Sequence, residues 1–134
     1  MTTLKSSLRI ASNLEELTKM DAFLERIFHE LSLDHEDQER IRLSLHEAVA
    51  NAIKHGNKFD MKKQVILNTL HLGTQIEFQI VDEGEGFVYE EIDDPLDPAN
   101  LLKDSGRGIF LMNSYADEVH YAKNGTHLNL TFML

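Results

Sequence analysis

Three polar residues stand four apart in the stretch HEAVANAIKHGN: Glu47, Asn51 and His55. On an α-helix each such step rises about 6 Å and returns to nearly the same face, so the three form one line. The adjoining Ala48, Val49, Ala52 and Ile53 place that line at the border of a core. A carboxylate one turn from a carboxamide suits work on a metal-bound nucleotide. The Asn51 oxygen can fill one Mg²⁺ position while phosphates and water fill the others. Glu47 can orient or deprotonate an attacking hydroxyl. The plain alternative is an amphipathic helix with solvated polar side chains, and this stretch alone does not exclude it.

A second set lies in VDEGEGF, where Asp82 sits at a strand tip and Gly84 and Gly86 follow. Glycines there allow a backbone to approach a ligand closely. A fixed Asp82 carboxylate can accept from the exocyclic amine of adenine and would reject guanine, whose carbonyl oxygen would face it. In SGRGIFLM, Gly106 and Gly108 open a helix whose free amides and dipole can hold phosphate, with Arg107 and Lys103 adding charge. Thr126, after a turn glycine in GTHLNLTF, can help hold the base. Each set also has an ordinary reading, as an acidic turn, a Ser105-capped helix start or a strand start. The seven His residues show no clustered ligand spacing and Cys is absent, so zinc is not expected, and His55 is read as support for the helix end beside Gly56. There is no P-loop signature, no dinucleotide fingerprint and no nucleophile elbow.

The elements that must position these residues follow from periodicity. Leu4–Ala11 reads as a strand. Asn13 caps a helix with Glu16 as its capping-box partner, and Leu14, Leu17, Phe23, Leu24, Ile27, Phe28 and Leu31 mark its apolar side. Asp34 caps a second helix, which ends near a Gly56-Asn57 C-cap. Val65–Leu72 and Gln75–Val81 are strands joined through Gly73-Thr74. A Gly-, Pro- and acid-rich connection runs to Ser105, with a short helical piece at Pro98–Lys103, and a helix follows. Glu118–Ala122 and Thr126–Met133 close the chain as a hairpin around Asn124-Gly125. This order predicts an α+β fold: a two-layer α/β sandwich with helices on one face of a mixed, mostly antiparallel sheet.

Composition sets the outer limits. The chain has 134 residues, which fits one domain over 1–134 with a real core. A net charge of −10 argues against a general nucleic-acid binder. Between Asp82 and Asp97 the chain carries eight acids and no Lys or Arg, either a solvated loop or a partner-facing surface. The N-terminal stretch lacks a signal-peptide pattern and no run approaches a membrane span, so a cytoplasmic protein without membrane association is expected.

In their order and spacing, HEAVANAIKHGN, VDEGEGF, SGRGIFLM and GTHLNLTF resemble the superfamily of gyrase, Hsp90, histidine-kinase and MutL ATPases. Within it, the chain looks like the stand-alone anti-sigma-factor serine-protein kinases of bacterial partner-switching systems. The resemblance runs from about residue 4 to residue 134. It implies the Bergerat-type ATP-binding fold, with ATP and Mg²⁺ as cofactors. It assigns Glu47 as general base, Asn51 as Mg²⁺ ligand, Asp82 as the adenine-binding aspartate and Thr126 as its neighbour. It places Gly84, Gly86, Gly106 and Gly108 around the phosphates and lid hinges, with the lid at about Phe87 to Ser105. It further implies transfer of a γ-phosphoryl group to a serine or threonine of a small anti-sigma-factor antagonist. Binding of a sigma factor and formation of a homodimer complete the implied behaviour. Glu85, between two of the glycines, departs from the pattern and must point away from the phosphates. A length of 134 residues leads to the expectation that neither the added domains of gyrase-type ATPases nor a phosphoacceptor hairpin accompanies this domain. The competing expectations are a non-catalytic, nucleotide-dependent regulator and a detached histidine-kinase-type ATP-binding domain. Glu47 together with Asn51 favours the enzyme, because a pure binder needs no base.

Overall fold

The computed structural model describes residues 3–84, 115–123 and 126–134. The sequence expectations for the acidic lid, the Pro98–Lys103 piece, the glycine-opened helix and the Asn124-Gly125 turn lie outside these residues. The described elements are β1 (Thr3–Ala11), α1 (Leu17–Leu31), α2 (His35–Asn51), β2 (Gln64–Leu72), β3 (Gln75–Val81), β4 (Glu118–Ala122) and β5 (His127–Met133).

The helix starts obey local chemistry, with one departure. Asp34 is extended and its Oδ1 accepts the Asp37 N–H at 2.8 Å, satisfying one of the orphan donors of α2. Asn13 does the same one turn early: its Oδ1 accepts from Glu15 N–H, and a single 3₁₀ turn, Leu14–Glu16, leads into α1. The expected capping box does not close. The Asn13 N–H is already bonded to the Ala11 carbonyl, so the Glu16 carboxylate accepts from the Ala11 N–H instead. α1 ends on Ser32 in the left-handed region (φ 52), with Leu33 N–H returning to the Phe28 carbonyl.

The sheet runs in the order β1-β2-β3-β5-β4. All four pairings among the described residues are antiparallel, so the parallel component expected of a mixed sheet is not found there. Gly73, at φ 72, makes the turn between β2 and β3. Strict alternation divides the sheet into two faces. Val65, Leu67, Ile76, Phe78, Ile80, Leu128, Leu130 and Phe132 turn inward with Met20, Leu24 and Phe28 of α1 and Ile41, Leu45 and Val49 of α2. Phe78 and Phe132 meet edge to face at 6.0 Å. The opposite face carries polar side chains among Ile66, Leu70 and Val81. Ser7 Oγ donates to Asn68 Oδ1, and Asn68 Nδ2 donates to Gln79 Oε1, along one cross-strand row. The described helices pack on the face that carries the buried core, giving the predicted two-layer sandwich.

A cation fastens the layers together at one end. Arg40 of α2 donates to Asp37, to Asp117, to the Tyr115 carbonyl and to the Met133 carbonyl, while its guanidinium lies over the Phe132 ring. Helix α2, the approach to β4 and the end of β5 thus share one planar donor group.

Candidate functional site

α2 carries Glu47 and Asn51 one turn apart, both partly exposed, beside buried Ala48 and Val49. Neither side chain forms a hydrogen bond or ion pair among the described residues. The helix does not continue in α form to His55. Residues Ala52–Gly56 make a π turn, with Asn57 N–H bonded to the Ala52 carbonyl at 2.8 Å. The line expected for Glu47, Asn51 and His55 is therefore α-helical only over its first step. The second step falls in the π turn, where His55 is exposed.

The π turn has a consequence for Gly56. A Cβ there would lie 2.6 Å from both Cγ and Oδ2 of Asp82. Only a residue without a side chain lets the end of α2 meet the carboxylate at the tip of β3. Gly84 completes the contact from the other side, since a Cβ on it would overlap the Gly56 carbonyl oxygen. The glycine in HEAVANAIKHGN and the first glycine in VDEGEGF thus serve one close approach between two distant stretches of chain.

Asp82 is half-buried in this contact. Its N–H donates to the Thr126 carbonyl at 3.0 Å, and its Oδ1 accepts the Gly84 N–H at 2.9 Å. Oδ2 has no hydrogen-bond partner among the described residues. Burial raises the Asp82 pKa, opposed in part by the Gly84 N–H and by the nearby His127 and Lys63. A partly desolvated carboxylate oxygen with no donor among the described residues is an acceptor suited to a ligand N–H.

Thr126 is brought to the same place by its backbone, through the bond to Asp82. Its hydroxyl donates to the Lys123 carbonyl at 2.7 Å and lies 3.2 Å from His127 Nδ1, so its proton is already spent within the protein. The structure thus joins Asp82, Gly84 and Thr126, with Gly56 of the α2 end against them. Gly86, Lys103, Gly106, Arg107 and Gly108 lie outside the described residues. No group of three His, Asp or Glu side chains placed to hold a metal ion occurs among the described residues.

Two residues of this region do not stand out in the sequence. Asn57, expected as a C-cap, has αR backbone angles and is buried. Its amide bonds Ser12, Gln64 and Glu83. Ser12 in turn donates to the Lys63 carbonyl at 2.6 Å. The Gly-Asn pair signals a chain turn equally well when the amide is exposed, so local pattern does not reveal its burial.

The chain is similar to known proteins over most of its length. Residues 10–132 match the histidine kinase-like ATPase domain family. The serine-protein kinase RsbW of Staphylococcus epidermidis is 28% identical over 131 residues, covering 92% of this chain and 82% of that protein. RsbW of Staphylococcus aureus (strain bovine RF122/ET3-1) is 28% identical over 133 residues, covering 92% and 83%. A crystal structure of the RsbU and RsbW domains of Rv1364c from Mycobacterium tuberculosis superposes with a TM-score of 0.67 at 15% identity, over 96% of this chain and 31% of that one, a likeness of fold. With nearly its whole length matched by the family model, the chain belongs to the histidine kinase-like ATPase domain family.

Proposed function

We propose that this protein is an ATP-dependent serine/threonine protein kinase that acts in the cytoplasm as an anti-sigma-factor-type regulator. The observation that carries the reading is the Asp82 carboxylate, half-buried against Gly56 with Oδ2 unclaimed by the described residues, at the end of the helix that bears Glu47 and Asn51. The similarity to serine-protein kinases over most of the chain supports the choice of acceptor.

In this reading Asp82 accepts from the adenine amine, and Thr126 supports the base beside it. Asn51 supplies a carbonyl ligand to Mg²⁺, which neutralises phosphate charge when bound. Glu47 accepts the proton of a serine or threonine hydroxyl on a small antagonist protein. The hydroxyl oxygen forms a bond to the γ-phosphorus as the bridging P–O bond breaks, and ADP leaves with that oxygen. Lys103, Arg107 and the glycines 86, 106 and 108 belong to the phosphate side. A sigma factor is the second partner, held by a homodimer and released when the antagonist competes for it.

The test uses labelled ATP and a purified antagonist-type domain. Transfer of label to serine or threonine by the wild-type chain, absent in Glu47→Ala, is the expected result. Nucleotide binding with no transfer by the wild-type chain would replace the kinase with a nucleotide-dependent binder.

A further inference from the structure

Asn57 is 1% exposed. A buried primary amide is destabilising unless its hydrogen bonds are made. Here three are made, and their directions are mutually determined. The Ser12 hydroxyl spends its proton on the Lys63 carbonyl, so toward Asn57 it can only accept. The amide nitrogen therefore faces Ser12 Oγ at 2.9 Å, and it also donates to the Gln64 carbonyl at 3.1 Å. That orientation leaves Oδ1 to accept the Glu83 N–H at 2.8 Å. Glu83 lies between Asp82 and Gly84, the two residues pressed on Gly56.

The backbone of Asn57 is bound just as tightly to the helix that ends before it. Its N–H closes the π turn onto the Ala52 carbonyl, and Phe59 N–H reaches the Ile53 carbonyl at 2.9 Å. The following Lys58 and Phe59 sit at φ 51 and 59, a left-handed pair that non-glycine residues adopt only when their surroundings impose it. One residue thus has its backbone on α2 and its side-chain acceptor on the turn that holds Asp82.

We infer that Asn57 is a positioning residue for base recognition: its Oδ1 bond to Glu83 N–H holds the Asp82 carboxylate in register with the end of α2. It touches no ligand itself. The inference rests on the assignment of Asp82 as the adenine acceptor.

The experiment compares equilibrium binding of ATP and of inosine triphosphate, which carries a carbonyl oxygen where adenine has its amine, and follows thermal unfolding of each variant. Wild-type protein is expected to prefer ATP. Asn57→Ala, read at a temperature where it is folded, is expected to weaken ATP about tenfold and to narrow the preference by a similar factor. Asn57→Ser, too short to reach Glu83, carries the same expectation should the alanine variant not fold. Asn57→Asp keeps an acceptor for Glu83 and should retain the preference despite lower stability. Ser12→Ala removes a neighbouring bond of the network without touching Glu83, and should lower the unfolding temperature with the preference intact. A purely structural role would lower stability in every variant and leave the ratio where it is in wild type. That outcome, or equal narrowing in Ser12→Ala, overturns the inference. Asp82→Asn separates the two levels. If it leaves the ratio unchanged, the Asp82 assignment itself fails. If it abolishes the ratio while Asn57→Ala does not, only the role of Asn57 fails.

Discussion

Gly56 and Asp82 are packed so closely that a Cβ on the glycine would stand 2.6 Å from the carboxylate carbon. A methyl group at that point must displace either the end of α2 or the tip of β3. Gly56→Ala is therefore expected to weaken ATP binding about tenfold or more, with a smaller loss of folding stability. Titration with a fluorescent ATP analogue alongside thermal unfolding checks both parts. Unchanged affinity would show that Asp82 need not sit where the structure puts it.

The half-burial of Asp82 has a sign that can be tested without nucleotide. Its folded-state pKa is raised, chiefly by desolvation, so the folded chain holds this proton more tightly than the unfolded chain does. Its contribution to stability is complete below the ordinary aspartate pKa and is lost as pH rises through the raised value. Asp82→Asn should remove that slope and be more stable than wild type at neutral pH, while binding ATP about ten- to a hundredfold more weakly. Melting temperatures of both proteins from neutral pH to about pH 4 measure the difference.

Asp117 gives the opposite dependence. The Met133 N–H and the Arg40 guanidinium hold its pKa below the usual value. Its contribution is present above the ordinary aspartate pKa and is lost as pH falls through the lowered one. Asp117→Asn should be less stable than wild type near neutral pH and converge on it in acid, which acid titrations followed by circular dichroism would show.

Arg40 makes contacts that lysine cannot copy. Its planar fork reaches Asp37, Asp117 and two carbonyls while stacking on Phe132. Arg40→Ala is expected to cost about 2–4 kcal/mol, and Arg40→Lys to recover less than half of that. Denaturant titration of the three proteins reads this directly. Full recovery by lysine would reduce Arg40 to a point charge.

Glu47 is expected to separate binding from chemistry. Glu47→Gln preserves size and hydrogen bonding but removes the basic carboxylate. It should bind ATP as wild type does and lower the phosphotransfer rate at saturating ATP by about a hundred- to ten-thousandfold. Single-turnover transfer to a serine-bearing antagonist domain gives the rate. An undiminished rate would dismiss Glu47 as the base.

The elements were legible in sequence because their signals are local. Asp34 with Asp37, the alternation of Gln75–Val81 and the positive-φ Gly73 each express a preference that the fold simply keeps. Candidate residues were legible where several motifs stand in a recognisable order, as Glu47, Asn51 and Asp82 do. The capping box at Glu16 misled because Asn13 N–H had a nearer acceptor in the Ala11 carbonyl.

By itself, the sequence determined which residues lie on one face of α2, which stand at the tip of β3, and that the sheet has one apolar face. These follow from the 3.6- and 2-residue periods and need no knowledge of neighbours. Tertiary structure alone decided that Gly56 and Gly84 serve a single contact, that the end of the second helix relaxes into a π turn, and that Asn57 is buried between three strand ends. The reason is physical. A glycine or an asparagine is compatible with many local conformations. Which one it adopts depends on atoms dozens of residues away that occupy the space a side chain would fill or supply the hydrogen bonds a buried amide requires.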